Sequence, residues 1–218
     1  MKNIRILIAD DHELVREGVR RLIERQPGWE VCGTAMTGRE TVEQVKNLDP
    51  DVVVLDMSMP GLNGLEAARE IKRTHPQTEV LIFTGHQMDE LIPEIFEAGA
   101  KSFILKSDAS SQLVEAIGSL SRHKPFFTNN VSDKLFSRLI ERSDRKAKVN
   151  RNSPRLTTRE REVVQLLAEG KSNKEGASAL GIGLRTAETH RANAMHKLGV
   201  DSLAALVRYA VRQGMVKA

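Results

Sequence analysis

Two apolar runs, each ending on carboxylates, constrain this chain more than anything else in it. Ile4-Arg-Ile-Leu-Ile-Ala9 leads into Asp10-Asp11, and Val52-Val-Val-Leu55 leads into Asp56. Runs this short, rich in Val and Ile and followed by helical periodicity, read as strands buried on both faces of a parallel sheet. In such sheets the strand C-termini open onto the ligand crevice. The three carboxylates are therefore expected at one edge, where like charges repel unless a cation neutralises them. That points to a hard divalent ion with oxygen ligands, Mg²⁺, and with it to phosphoryl chemistry.

The rest of the first half keeps the alternation. Strands are expected at Ile4 to Ala9, Glu30 to Ala35, Val52 to Leu55, Val80 to Thr84 and Ser102 to Leu105. Helices are expected near Glu13 to Arg25, Gly38 to Asn47, Gly64 to Thr74, Glu90 to Glu97 and Ser110 to Ser121. Five strands alternating with five helices make an α/β doubly wound, five-stranded parallel sheet. Pro93 falls in the first turn of its helix, where its missing N–H costs little.

A different composition follows. Val131 to Arg142 carries apolar residues at helical spacing, and residues 143–154 are polar, basic and aperiodic, ending at Pro154. These features define a first domain over 1–124, a linker over 125–154 with a helix near 131–142, and a second domain over 155–218. The second domain reads as four helices without a strand. Thr157 and Glu160 form a capping box for the first, Gly170 ends it, and a short helix from Asn173 to Leu180 stops at Gly181-Ile-Gly183. Leu184 to Leu198 follows at once and Ser202 caps a last helix, so a helix-turn-helix is expected in a small all-α domain.

Charge is divided the same way. Residues 1–124 hold 15 Lys/Arg against 20 Asp/Glu, net −5, while residues 125–218 hold 18 against 9, net +9. A basic helical domain beside an acidic one suits a polyanion partner, duplex DNA above all. A single cysteine, Cys32, precludes an internal disulfide and reads as an inert core thiol. No signal-peptide pattern or membrane-length apolar run is present, so a cytoplasmic protein with no membrane partner is expected. His75 and His86 lack a second His or Cys at ligand spacing and read as surface or loop residues.

Taken together, Asp10-Asp11, Asp56-Met-Ser-Met-Pro-Gly61, Leu62-Asn-Gly64, Thr84 and Phe103-Ile-Leu-Lys106 resemble the receiver domain of bacterial two-component response regulators. Leu156-Thr-Thr-Arg-Glu-Arg-Glu-Val-Val, Glu188-Thr-His-Arg-Ala-Asn193 and Lys197-Leu-Gly199 resemble the LuxR-type helix-turn-helix. The whole is similar to the NarL/FixJ family. The resemblance implies that Asp56 is the phosphoacceptor for a histidine kinase. It also implies that Asp11 and Asp56 ligate Mg²⁺ directly, Asp10 through water, with the Ser58 backbone carbonyl completing the set. Lys106 and Thr84 would hold phosphoryl oxygens, and Phe103 would be an aromatic switch coupled to Thr84. Phosphorylation would favour a homodimer that controls transcription, with no catalysis beyond self-phosphotransfer and autodephosphorylation.

The reading helix, Leu184 to Leu198, places Ala187, Ala194 and Leu198 near one stripe and turns Arg185, Glu188, Thr189, Ala192, Asn193 and His196 outward. Glu188, Thr189, Ala192 and Asn193 are expected to face bases. Lys171, Lys174, Arg185, Arg191 and Lys197 are expected at phosphates. Gly176, Ala187 and Ala194 stand where the family has larger aliphatics; facing one another they would leave a depleted core, unless Leu184 and Met195 fill it. Two other functions share some of these features. A nucleophilic Asp with a metal and a Lys also serves a Mg²⁺-dependent phosphohydrolase, which usually carries a second Asp where this chain has Ser58, and the depleted core also suits an output domain for protein or RNA.

Overall fold

Strands apolar on both faces need cover above and below, and the first unit of this chain supplies it from helices spaced along the sequence. The computed structural model describes residues 3–85, 92–127 and 156–216. His86, the helix expected near 131–142 and the linker up to Pro154 lie outside the described residues. The chain divides into two compact units, Met1–Lys148 and Val149–Ala218.

The first unit is a five-stranded parallel sheet of β1 (Ile4–Ala9), β2 (Trp29–Ala35), β3 (Val52–Leu55), β4 (Glu79–Thr84) and β5 (Ser102–Leu105), in the order β2-β1-β3-β4-β5. The helices are α1 (Glu13–Glu24), α2 (Gly38–Leu48), α3 (Gly64–Thr74), α4 (Ile92–Glu97) and α5 (Ala109–Leu120). Alternate strand residues enter two separate cores. Leu7, Val53, Leu55 and Ile82 pack with Val45, Ala68, Ile71 and Ile95 from α2, α3 and α4. Ile6, Ile8, Val54 and Leu81 pack with Val19, Ile23, Leu113 and Ile117 from α1 and α5. Burial on both faces is why these strands are continuous apolar runs.

Two features of this unit lie outside the sequence reading. The chain past α5 stays on the sheet: Phe126 donates its N–H to the Lys101 carbonyl at 3.2 Å and bridges Ser102, and Phe127 meets the Phe96 ring of α4 edge-on at 5.0 Å. The ordered unit therefore runs at least to Phe127 rather than ending at 124. Glu79, at the start of β4, is only 1 % exposed. Lys101 Nζ lies 2.6 Å from it, His123 Nδ1 2.8 Å and Lys72 Nζ 3.4 Å. Burial pushes the Glu79 carboxyl up, but hydrogen bonds from Lys101 and His123 and the Lys72 charge outweigh it and hold the group below the ordinary carboxylate range.

The second unit contains α6 (Thr158–Ala168), α7 (Asn173–Leu180), α8 (Leu184–Leu198) and α9 (Leu203–Arg212). The Thr157–Glu160 capping box is present, and a second one, Ser172–Glu175, opens α7. Ser202 caps α9, and Gly181 and Gly199 end α7 and α8 in the left-handed conformation. The core gathers Leu156, Val163, Val164, Leu167, Ala194, Leu206, Ala210 and Met215.

Gly176, Ala187 and Ala194 are all buried. A Cβ at position 176 would meet only Leu166 of α6, at 3.8 and 3.9 Å, and neither alanine. Leu184 is 45 % exposed and fills nothing, whereas Met195 packs against the core. The helix register explains this outcome, since α8 offers its alanines to the interior seven residues apart and its leucine at position 184 to solvent.

Because the added methyl finds ordinary van der Waals room, Gly176→Ala is expected to stabilise the second unit by about 0.5–1 kcal/mol through helix propensity. A higher melting temperature for that transition in calorimetry checks it. Glu79 has a lowered folded-state pKa, so its contribution is fully present above the ordinary glutamate value of ~4.3 and is lost as pH falls through the folded value. Glu79→Gln is therefore expected to cost about 2 kcal/mol near neutrality. That difference should shrink steadily below pH ~4 in thermal melts of the two proteins.

Candidate functional site

Parallel register decides which side chains meet at the sheet edge. Ala9 pairs with Leu55, Leu55 with Ile82, and Thr84 with Leu105. The next residues along β1, β3 and β5 are Asp10, Asp56 and Lys106, and Thr84 itself ends β4, so four neighbouring strands deliver their functional groups to one rim. Asp10 and Asp56 are 1 % and 2 % exposed. The backbone ties them to adjacent strands: Asp10 donates its N–H to the Ala35 carbonyl at 3.1 Å and Asp56 to the Ala9 carbonyl at 2.8 Å.

Within this rim the Lys106 ammonium lies 2.6 Å from Asp10 Oδ2 and 3.3 Å from Asp56 Oδ1. The Met57 N–H donates to Asp56 Oδ1 at 2.9 Å. His12 donates its N–H to Asp10 Oδ1 at 2.9 Å, and its Nδ1 lies 3.1 Å from that oxygen and 3.0 Å from Asp11 Oδ1. One ligand atom each from Asp10, Asp11, His12 and Asp56 fits within 4.8 Å of the others. That spacing and the predominance of carboxylate oxygen suit a hard divalent cation. His12 is the member the sequence reading missed; its only signal was its place directly after Asp10-Asp11.

The remaining expected residues are placed as follows. Ser58 is buried two residues past Asp56, Thr84 is fully buried, and Phe103 is 4 % exposed and already inside the core between the sheet and α3 and α4. The loop that carries Asp56 is pinned by glycine. At Gly64 a Cβ would lie 2.1 Å from the Asp56 carbonyl oxygen and 2.9 Å from Met57 Cα. Only a residue without a side chain lets α3 start this close to the backbone of Asp56 and Met57. Asn63 caps α3 by accepting the Glu66 N–H at 3.0 Å, which fixes where that helix begins.

In the second unit, α8 turns Arg185, Glu188, Thr189, Ala192, Asn193 and His196 to solvent, and Lys171 and Lys174 are exposed near α7. Arg191 is half-buried. The Thr189 hydroxyl donates to the Arg185 carbonyl at 2.9 Å, which leaves its methyl group and oxygen lone pairs outward. Lys197 differs from the other cations: its ammonium lies 2.8 and 2.7 Å from the two oxygens of Glu160. Its charge is engaged inside the domain.

Residues 6–118 match the response regulator receiver domain, and residues 154–210 match the luxR family of bacterial regulatory proteins. The chain is a response regulator of the receiver–LuxR type. Over 213 residues this response regulator is 37% identical to the transcriptional regulatory protein LiaR of Bacillus subtilis, covering 98% of this chain and 99% of that one. It is 33% identical to the response regulator VraR of Staphylococcus aureus over 214 residues, with coverage of 98% and 99%. Among solved structures it is similar to RcsB of Salmonella typhimurium, with a TM-score of 0.67 and 27% identity over 98% of this chain and 99% of that one. An RcsB–DNA complex is also similar, with a TM-score of 0.58 and 28% identity over 97% and 99%. The doubly wound receiver and the helical output domain expected from the sequence are thus the regulator's architecture, and it is a transcriptional response regulator. None of its helices among the described residues is long and apolar enough to cross a membrane.

Proposed function

We propose that Asp56 accepts a phosphoryl group from a histidine kinase and that the modified regulator binds duplex DNA through α8 as a homodimer. The observation that carries the first half is the placement of a nearly buried carboxylate 3.3 Å from a lysine, on the rim shared with Asp10, Asp11 and Thr84. An Asp56 oxygen attacks phosphorus, the phosphorus–nitrogen bond to the kinase imidazole breaks, and an acyl phosphate forms. Lys106 is placed to follow the charge from the carboxylates to the incoming phosphoryl oxygens, and Thr84 to donate its hydroxyl to one of them. Asp11, Asp56 and the Ser58 carbonyl would hold Mg²⁺ directly and Asp10 through water, and the ion would supply neutralisation of the carboxylates and the phosphoryl group. The modification adds roughly 1.5–2 negative charges at the rim, which biases a two-state receiver. Phe103, already buried beside α4, is the aromatic group positioned to hold one of those states.

For the second half, the exposed face of α8 supplies Glu188, Thr189, Ala192 and Asn193 for base edges. Arg185 and Arg191, with Lys171 and Lys174, supply charge for phosphates. Similar RcsB structures are of that protein bound to promoter DNA in the presence of a phosphomimetic, which supports coupling the two halves here.

Incubation with acetyl phosphate and Mg²⁺ is expected to give one retarded band on phosphate-affinity gels, and Asp56→Asn to abolish it. A persistent band in the variant would move the acceptor elsewhere. Duplex binding is expected to weaken steeply with salt, and Arg185→Ala to flatten the slope of log K against log salt by about one. Thr189→Ala should instead alter preference at one base position, read from the duplexes each protein enriches out of a random pool. Unchanged slope and preference in both variants would remove α8 from the interface.

A further inference from the structure

Lys197 lies on the last turn of α8 and Glu160 on the first turn of α6, 37 residues apart in sequence. Glu160 is 3 % exposed. Its Oε2 accepts the Thr157 N–H at 2.7 Å as part of the capping box, and both of its oxygens face Lys197 Nζ, at 2.8 and 2.7 Å. The pair also suits both helix dipoles, with the carboxylate at an N-terminus and the ammonium near a C-terminus. The ammonium of Lys197 is thus turned back onto its own domain, with both oxygens of a buried carboxylate as partners.

The apolar grip on α8 is correspondingly slight. Its two buried residues are Ala187 and Ala194, each offering a single methyl, and its N-cap, Gly183, provides no side chain. Met195 and Leu198 add only partial burial near the C-terminal end. In a helix held this lightly, an ion pair whose carboxylate is buried takes a share in fixing orientation, since separating it leaves that carboxylate with hydrogen bonds but no countercharge.

From these contacts we infer that Glu160 and Lys197 form a clamp that sets how α8 lies on its domain. Lys197 is then a positioning residue for DNA reading, acting through Glu160 rather than as a phosphate ligand. The inference rests on α8 being the reading helix. Thr189 lies eight residues from Lys197, about 12 Å along the helix, so a tilt of roughly 10° at the clamp would move it by ~2 Å. Base-edge contacts tolerate about 0.5 Å, while contacts to phosphates from long flexible side chains tolerate far more. Loss of the clamp therefore costs discrimination between sequences more than general affinity.

The test uses the full chain, a duplex enriched from a random pool by the wild-type protein, and a scrambled duplex of equal composition. Lys197→Met is expected to lower discrimination between the two by about tenfold or more, with scrambled-duplex affinity within about threefold of wild type and an unchanged salt slope. Lys171→Met is expected to weaken both duplexes alike and flatten the slope by about one. Lys197→Arg should keep discrimination. If Lys197→Met fails to fold by circular dichroism, Glu160→Gln, which retains an oxygen for the helix cap, carries the same expectation. A flattened slope with discrimination intact would make Lys197 a phosphate ligand and overturn the clamp. So would a folded variant that melts earlier but reads both duplexes as wild type does. The underlying reading fails separately: Thr189→Ala and Asn193→Ala would then leave discrimination untouched as well.

Discussion

Parallel register is the constraint on which the first unit depends. Because β1 and β3 end level with one another, and β4 and β5 two residues further on, Asp10, Asp56, Thr84 and Lys106 arrive at one rim, though they span nearly a hundred positions in sequence. A slip of one residue in β3 would turn Val53 and Leu55 away from their core and carry Asp56 off the rim at the same time. Folding and function are therefore tied to the same apolar alternation. The close approach at Gly64 adds a second tie, since α3 begins against the backbone of Asp56.

Among the described residues, four of the buried acids are met by lysines, while Glu66 and Glu162 are met by Arg69 and Arg159. Glu79 has Lys101 and Lys72, Glu160 has Lys197, and Asp10 and Asp56 share Lys106. In the first two a buried acid meets a partly exposed lysine, and both depress the acid: the hydrogen bonds to Glu79 and Glu160 outweigh the upward push of burial. The third differs in geometry. One ammonium is divided between two carboxylates, and the neighbouring Asp11 is partly open to water. A charge held between two partners is less tightly committed than one held by a single carboxylate, which suits the proposed role of Lys106.

Much of this was legible in advance, for a physical reason. Strands β1, β3 and β5 have the expected bounds because both of their faces are buried and their apolar runs stop where the carboxylates, or the lysine, begin. Strands β2 and β4 each begin one residue earlier than expected, at Trp29 and Glu79. For Glu79 the cause is plain: a glutamate reads as the end of a strand until Lys101 and His123 are seen around it, and both come from distant sequence. The same blindness hid His12 and the contact between Lys197 and Glu160. Outward spacing on a helix says where a side chain starts, while a lysine's reach lets it return to the interior.

The sequence by itself determined the two-domain order, the alternation that builds the doubly wound sheet, the caps of α6 and α9, and the set of chemical groups at the strand ends. These are local, because apolar period, turn residues and capping side chains act within a few positions of one another. Only the tertiary structure decided which charges are spent. Lys106 divided between Asp10 and Asp56, His12 drawn to Asp10 and Asp11, Gly176 facing Leu166 and Lys197 clamped on Glu160 all depend on distances between residues far apart in the chain. Electrostatic and packing energies fall off within a few ångströms, so they are fixed only once the backbone has brought those residues together.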